Sequence, residues 1–186
     1  MSVHSSAVET LTHWQAPDPG QDALRHAVLA FLHARPDSCQ RACVPGHITA
    51  STLVVSPDDE VLLTLHPRFG RWVQLGGHCE DDDPDITAAA LREATEESGI
   101  DGLQLDPELA ALHVHPVTCS LGVPTRHLDL QFLALAPAGA RFTVSDESLD
   151  LRWWPIDALP AGADAGLTAL VAAARRRWSS ESRSRG

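Results

Sequence analysis

Three glutamates near the middle of the chain have a spacing that could bind metal ions. Glu93, Glu96 and Glu97 stand at positions i, i+3 and i+4, so they would share one face of a helix. Like charges at this spacing destabilise a helix by roughly 0.2–0.5 kcal/mol per pair unless a cation offsets the repulsion. Carboxylate oxygens, water and phosphate oxygens are the ligands that Mg²⁺ prefers. The pattern therefore indicates a magnesium site, although a solvated acidic helix face has the same spacing.

The helix that carries these glutamates is predicted by signals at both ends. Asp83 is a good N-cap residue and Pro84 suits the first helical position, so we expect the helix to begin there. Ser98 and Gly99 are expected to end it, because glycine suits the position after the last helical turn. Between these ends Ile86, Ala89, Ala90 and Ala94 can face the sheet, and small side chains allow a helix to approach a sheet closely.

Negative charge is concentrated around this helix. Residues 80–97 contain eight acidic residues and only Arg92 as a base, which gives −7 of the net charge of −11. All 14 basic residues are arginine, so Schiff-base or P-loop chemistry based on lysine is excluded. A long nucleic-acid footprint needs a basic stripe, which this composition does not favour. The charge distribution favours a site whose cation is a metal.

The rest of the chain predicts one α/β domain, since 186 residues are enough for a single full-sized core. Periodicity and turn residues predict helices over 22–34 and 167–178, a hairpin over 48–55 and 61–65, a brief strand ending at Gly76-Gly77, strands over 103–115 and 127–136, and a strand entering a turn and short helix over 145–160. Some connections are hairpins and others contain helices, so we expect an α/β sandwich with a mixed sheet.

Without a membrane-spanning apolar run or a signal-peptide pattern, the expected location is cytoplasmic.

The cysteines allow two interpretations. Cys39, Cys43 and His47 have C-x3-C-x3-H spacing, which could form part of a zinc site. A fourth ligand is missing from this local pattern, and His47 is expected to begin a strand. We therefore favour reduced structural cysteines, including Cys79 and Cys119, in a cytosolic protein.

The segment from Gly76 to Ile100 resembles the Nudix box, G-x5-E-x7-R-E-U-x-E-E-x-G-U, where U is aliphatic. The residues REATEESGI, from Arg92 onward, match its second half, and Gly77 matches the opening glycine. Asp83 stands where the family has glutamate, and eight residues rather than seven separate it from Arg92. The resemblance implies a Nudix-type α/β/α sandwich over residues 46–178. Residues 1–45 would be an N-terminal extension with one helix, and residues 179–186 a disordered tail.

This resemblance implies a metal-dependent pyrophosphohydrolase. Family members cleave a diphosphate linkage, commonly in a nucleoside diphosphate-linked substrate, by attack of water at phosphorus with Mg²⁺ or Mn²⁺. By resemblance, Arg92 would orient a glutamate, and Asp83 would be its structural partner. The implied metal ligands are Gly76 (through its carbonyl), Glu93, Glu96 and Glu97. The expected partner is a small-molecule diphosphate rather than a long nucleic acid or a membrane, and a homodimer through the N-terminal helix is left open.

Other site residues are predicted from their type and position alone. Arginines and a histidine near the box could bind phosphate: Arg68, Arg71, His78 and Arg126. The general base varies within the family, and the candidates are Glu96, Asp146 and Glu147. No motif in the sequence identifies the substrate.

Two alternative functions use the same fold. A catalytically silent ligand-binding regulator would usually lack glutamates of the box and carry an added DNA-binding domain, and the sequence shows neither sign. An isopentenyl diphosphate isomerase uses a cysteine and a glutamate beside a degraded box, and Cys79 is the candidate cysteine. The intact REATEE segment favours hydrolysis over isomerisation.

Overall fold

A computed structural model describes residues 1–68, 70–119, 122–145 and 148–184, with the backbone alone for residues 179–184. The described residues form four helices: α1 (Val3–His13), α2 (Pro19–Ala34), α3 (Ile86–Ser98) and α4 (Ala165–Ser184). They also form seven strands: β1 (His47–Val55), β2 (Glu60–His66), β3 (Arg71–Val73), β4 (Leu75–His78), β5 (Gln104–Thr118), β6 (Pro124–Leu135) and β7 (Leu151–Pro155). The predicted hairpin, central helix and C-terminal helix are therefore present.

All seven strands join one mixed sheet. The order is β3-β2-β1-β6-β5, while β4 also pairs with β1 and β7 also pairs with β2. β1 and β6 run parallel, and the other pairs are antiparallel. β1 pairs with β4 over residues 49–52 and with β2 at residues 54–55, so the two strands share one side of β1. The parallel pair needs a long crossover, and α3 lies within it.

Helices cover both faces of this sheet. On one face, α1, α2 and α3 pack against buried side chains that include Ile48 and Phe132. On the other face, Leu170 of α4 packs in a cluster with Leu53 and Leu63. All nine residues of β1 are buried, as expected of a strand covered on both sides. The predicted α/β/α sandwich with a mixed sheet is confirmed.

The N-terminal extension contains two helices, so the prediction of one was wrong. In α1 the apolar residues Val3, Ala7 and Leu11 recur every four positions and form only a narrow stripe, which gives a weak periodic signal. All three are buried in the cluster that α3 and the sheet share. Ser6 Oγ accepts a hydrogen bond of 2.8 Å from the Ile86 amide, so α1 satisfies a donor at the first turn of α3.

α3 begins two residues later than predicted. Asp85, not Asp83, is its N-cap, and the Asp85 side chain accepts a hydrogen bond from an amide of the first turn. Asp83 and Pro84 lie in the preceding loop, because the Asp83 carboxylate pairs with Arg92 instead. The predicted C-terminal end is confirmed, since Gly99 caps the helix in the left-handed region with a φ of 64°. The extra residue of the box therefore lies in the loop before the helix.

The C-terminal region also differs from prediction in extent. α4 continues to Ser184, past residue 178, where the sequence predicts the domain to end and a tail to begin. The short helix predicted after β7 is absent, because the chain makes turns between Pro155 and Pro160. Although α4 has 20 residues, no helix in the described part of the chain is long and apolar enough to cross a membrane.

Truncation of Leu11 tests whether α1 is an integral part of the fold. Leu11 is fully buried, so Leu11→Ala should lower the free energy of unfolding by about 2–5 kcal/mol through lost burial and the cavity left behind. Glu9→Ala, on the exposed face of the same helix, should change it by less than about 0.5 kcal/mol. Urea unfolding measures both values, and equal stability of the two variants would mean that α1 does not pack on the domain.

Candidate active site

A polar cleft of about 380 Å³ lies beside α3 and the end of β4. The glutamates of α3, the two glycines of β4 and side chains of β5 and β6 line it. Arginines and carboxylates lie close together in this cleft, so it suits a ligand that carries charge.

α3 approaches β4 closely at the two glycines. A Cβ atom at Gly77 would lie 2.5 Å from Glu93 Oε2, and one at Gly76 would lie 2.4 Å from Ser51 Cβ on β1. Gly76 also has a φ of 147°, which residues with a side chain rarely adopt. The Gly76 amide donates a hydrogen bond of 2.9 Å to Glu97 Oε2. The glycine pair therefore brings the backbone of β4 against two glutamates.

The three glutamates of α3 differ in their exposure to solvent. Glu97 is 6% exposed, whereas the side chains of Glu93 and Glu96 are 12% and 61% exposed. All three line the cleft together with Gly76, so the structure brings the four predicted metal ligands to one place. Carboxylates this close together repel one another unless a cation lies between them.

Arg92 is a cation that contacts several of these acidic groups at once. Its guanidinium donates two hydrogen bonds of 2.9 Å to the carboxylate of Asp83. It also donates to Glu93 and Glu96 at 3.1 Å each, and to the carbonyl of His78 at 3.0 Å. Its hydrogen bonds to Asp83 raise the pKa of Arg92, so the guanidinium stays charged. Arg92 therefore offsets part of the repulsion in α3 and links this helix to the end of β4.

Asp83 is buried in the loop before α3, where it is 8% exposed. Its Oδ2 atom also accepts a hydrogen bond of 2.8 Å from the Glu80 amide. Burial by itself would raise the pKa of Asp83, but the hydrogen bonds from Arg92 and the Glu80 amide bring the pKa below its usual value. An aspartate in place of the family's glutamate, together with one extra loop residue, is thus compatible with a bidentate contact to Arg92.

The predicted phosphate-binding residues do not all lie at the cleft. Arg68, Arg71 and His78 line it, whereas Arg126 is exposed on β6 and does not. Arg41, which the sequence did not single out, also lines the cleft. Its position follows from the folding of the loop before β1, and no local pattern marks it.

Of the three candidates for the general base, only Glu96 lies among the described residues. Asp146 and Glu147 lie outside the described residues. Glu96 lies in the cleft, and it is the most exposed of the three glutamates of α3.

A buried carboxylate, Asp129 of β6, also faces the cleft and was missed from the sequence. It is 3% exposed and accepts hydrogen bonds from Thr49 at 2.9 Å and Ser51 at 2.7 Å. The amides of Gln74 and Gln131 donate to the same carboxylate at 3.3 and 3.1 Å. These bonds satisfy its oxygens. The alternation in HLDLQ, with polar residues at every second position, is the signal that could have revealed this polar face.

Three histidines and a cysteine meet at the edge of the cleft, which His78 and His127 also line. The group consists of His47, His78, His127 and Cys119, and one donor atom from each lies within 4.8 Å of all the others. Burial lowers the pKa of His78 and His127 to about 3, and it also lowers the pKa of His47. The three imidazoles are therefore neutral at pH 7, the form in which histidine binds metals.

This group differs from the zinc ligands that the sequence suggested. Of Cys39, Cys43 and His47, only His47 belongs to it, and Cys43 contributes a carbonyl that contacts His47 Nδ1 at 3.3 Å. Cys39 instead packs beside Cys79 against the apolar cluster under α1 and α3. No disulfide joins the four cysteines, all of which are described.

Known proteins similar to this chain include one relative found by sequence and two solved structures. An uncharacterized Nudix hydrolase of Bacillus subtilis (strain 168), YvcI, is 28% identical over 104 residues, and the match spans 56% of this chain and 63% of that protein's length. The C. elegans Ap4A hydrolase in a binary complex is 20% identical with a TM-score of 0.56, covering 72% of this chain and 98% of that one. A MutT protein from Methanosarcina mazei Go1 is 19% identical with a TM-score of 0.55, covering 73% and 97%. At these identities the two solved structures show a shared fold.

The family follows from the match to a domain model. The model of the NUDIX domain matches residues 45–174, which is most of the chain and includes the glycine pair, the glutamates of α3 and all residues that line the cleft except Arg41. The chain therefore belongs to the Nudix family, whose members are hydrolases that act on pyrophosphate bonds.

Proposed function

We propose that this chain is a metal-dependent pyrophosphohydrolase that cleaves the diphosphate linkage of a nucleoside diphosphate-linked substrate by attack of water at phosphorus. The observation that carries the proposal is the meeting of Glu93, Glu96 and Glu97 with the backbone of Gly76 in one cleft. The three carboxylates repel a diphosphate, so a metal cation between them and the substrate would favour binding.

The residues fit Mg²⁺ or Mn²⁺ because all the donors are hard oxygens. Glu93, Glu96 and Glu97 would supply carboxylate oxygens, and Gly76 a backbone carbonyl oxygen. Such an ion, when bound, neutralises phosphate oxygens and lowers the pKa of a bound water molecule. The space at Gly77 supports the assignment, since any side chain there would displace the Glu93 carboxylate.

The chain's own residues would position the glutamates and the substrate. Arg92 holds Glu93 and Glu96 in place by its hydrogen bonds, and its own position depends on Asp83. Arg68 lines the same cleft and would bind phosphate oxygens by charge-assisted hydrogen bonds. Glu96 would accept a proton from the attacking water, because it is the glutamate most open to solvent.

An isomerase that depends on Cys79 has less support. Cys79 packs against the apolar cluster beside Cys39, and it is not among the residues that line the cleft. The hydrogen bond with Cys39 and burial raise the pKa of the Cys79 thiol, so it is a poor source of thiolate. The catalytically silent regulator is also less supported, because the cleft keeps all three glutamates.

Replacement of Glu96 by glutamine should lower metal-dependent turnover by about 10²-fold or more, because an amide is a weaker ligand for a hard cation and does not accept the proton. The measurement is phosphate release from nucleotide sugars, ADP-ribose, NADH, dinucleoside polyphosphates and nucleoside triphosphates. Each substrate is tested with Mg²⁺, Mn²⁺ or EDTA, and phosphatase is added where the products are phosphomonoesters. EDTA should abolish turnover in the wild type.

The matched control is Asp81→Asn, which removes an exposed acid of the loop before α3 that does not line the cleft. It should keep wild-type turnover. Full activity of Glu96→Gln, or activity that survives EDTA, would contradict the proposed function.

Replacement of Asp83 by asparagine tests the support of Arg92. The variant removes the buried carboxylate that accepts two hydrogen bonds from the Arg92 guanidinium, so the free energy of unfolding at pH 7 should fall by about 1–3 kcal/mol. The folded state lowers the pKa of Asp83, so its contribution to stability is present above the unfolded pKa of about 3.9 and is lost as the pH falls through the folded pKa. Urea unfolding at pH 7 and pH 3 should therefore show a smaller difference between variant and wild type at pH 3. A difference that is the same at both pH values, or no difference from Asp81→Asn, would contradict this role.

A further inference from the structure

We propose that His47, His78, His127 and Cys119 form a second metal site, which binds Zn²⁺ or a similar borderline-soft cation and is separate from the glutamate site. The proposal goes beyond the hydrolase function, because no glutamate of the box supplies a ligand and only His78, at a variable position of the box, belongs to both. It does not depend on which substrate the cleft binds.

The sheet brings the four residues together from four different strand ends. His47 is the first residue of β1 and His78 is the last residue of β4. His127 lies near the start of β6 and is the direct partner of His47 in the parallel pair, while His78 pairs with Thr49, two residues from His47. Cys119 directly follows β5. Residues paired directly, or two apart, share one face of a sheet, so the three imidazoles project to the same side.

The donor atoms are spaced nearly as a tetrahedral ion requires. Zn²⁺ with bonds of about 2.0–2.1 Å to nitrogen and 2.3 Å to sulfur places its ligand atoms about 3.3–3.6 Å apart. The Nε2 atoms of His47 and His78 lie 3.1 Å apart, and Cys119 Sγ lies 3.3 Å from His78 Nε2. All four donor atoms lie within 4.8 Å of one another, so a shift of about 1 Å by the others would complete the coordination.

A hydrogen bond already sets the ring of His47 in a metal-binding tautomer. Its Nδ1 atom lies 3.3 Å from the carbonyl oxygen of Cys43. A carbonyl can only accept, so Nδ1 carries the proton, and Nε2 presents its lone pair to the group. Metal-binding histidines in proteins are typically oriented by such a contact from the second ring nitrogen.

One ring nitrogen of this group has no hydrogen-bond partner and could bind a metal ion. His127 Nε2 is buried and has no hydrogen-bond partner among the described residues. A buried polar atom without a partner destabilises the fold, and a bond to a metal would remove that cost. His78 Nε2 lies close to both His47 Nε2 and Cys119 Sγ. Without metal, the one proton on His78 Nε2 is shared between these two neighbours.

Metal binding would exchange protons for the cation in a balanced way. The Cys119 thiol would lose its proton to solvent, since a thiolate is the form that binds metal. The proton on His78 Nε2 would move to Nδ1, so that Nε2 becomes a ligand. The products are one metal ion held by three neutral imidazoles and one thiolate, and one proton released.

The chemistry of the donors separates this site from the glutamate site. Three nitrogens and one sulfur select zinc-like cations, whereas carboxylates and carbonyls select Mg²⁺ or Mn²⁺. Four protein ligands leave no open coordination position, which is the arrangement of structural zinc sites. Because the His78 carbonyl accepts a hydrogen bond from Arg92, a metal on the His78 side chain would hold the end of β4 in place beside α3.

The first test uses the metal-free wild-type protein with excess Mg²⁺ present, so that the glutamate site is occupied. Added Co²⁺, a spectroscopic substitute for Zn²⁺, should bind with about one equivalent and give the visible spectrum of a tetrahedral ion. It should also give the charge-transfer absorption of a thiolate ligand, called the thiolate band below. Zn²⁺ should then displace it and raise the thermal unfolding midpoint. Absence of the thiolate band in the wild type would overturn the proposal without any variant.

Variants then locate the site. Cys119→Ser should abolish the thiolate band, and both Cys119→Ser and His127→Ala should weaken Zn²⁺ binding by about 10²-fold or more. Cys39→Ser, a matched removal of a cysteine outside the group, should retain the band and the affinity. Circular dichroism of each variant separates loss of a ligand from loss of the fold.

Glu96→Gln distinguishes the two metal sites. It should bind Zn²⁺ with wild-type affinity even though the proposed hydrolase activity is lost. Retention of Zn²⁺ binding by folded Cys119→Ser and His127→Ala, or its loss in Glu96→Gln or Cys39→Ser, would assign the metal to other residues and overturn the second site.

Discussion

The close approach of α3 to the backbone of β4 is the constraint on which the cleft depends. Gly76 donates its amide to Glu97, and Gly77 leaves the space that the Glu93 carboxylate occupies. The buried face of α3 makes the same approach possible because its side chains are small: Ala89, Ala90 and Ala94. Two of the three glutamates are therefore held against protein backbone, and Glu96 is left open to solvent. A larger residue at Gly77 would push the Glu93 carboxylate of α3 away from the strand, and one at Gly76 would push β4 away from β1.

Without Arg92, repulsion among the three glutamates would destabilise α3 and its contact with β4. Three glutamates on one helical face repel one another, and Arg92 lies within hydrogen-bonding distance of two of them. Asp83 holds the guanidinium from the other side, so Arg92 is fixed by a buried acid that takes no part in the glutamate face. α1 contributes at the start of the same helix, where Ser6 accepts a hydrogen bond from its first amide. The N-terminal extension is thus part of the framework that holds the glutamates.

The last residues of β4 connect two groups of potential metal ligands with different chemistry. Gly76 and Gly77 face the oxygen donors of α3, whereas the side chain of His78 faces two other imidazoles and a thiol. The carbonyl of His78 also receives a hydrogen bond from Arg92. Because one short strand contacts both groups, order in the histidine–cysteine group is coupled to the position of the backbone beside the glutamates. Oxygen donors on one side and nitrogen and sulfur donors on the other are suited to different metal ions.

Local patterns in the sequence determined the hairpin, the central helix and its glutamate face, because turn residues and i, i+3, i+4 spacing act over a few residues. Tertiary structure decided which aspartate caps α3, since Asp83 is drawn to Arg92 and Asp85 is left for the cap. It also decided that α1 is a helix, because a narrow apolar stripe is stabilised by burial against α3. The histidine–cysteine group depends entirely on the order of strands. His47 and His127 are far apart in the chain and meet because β1 and β6 pair in parallel, which no local spacing encodes.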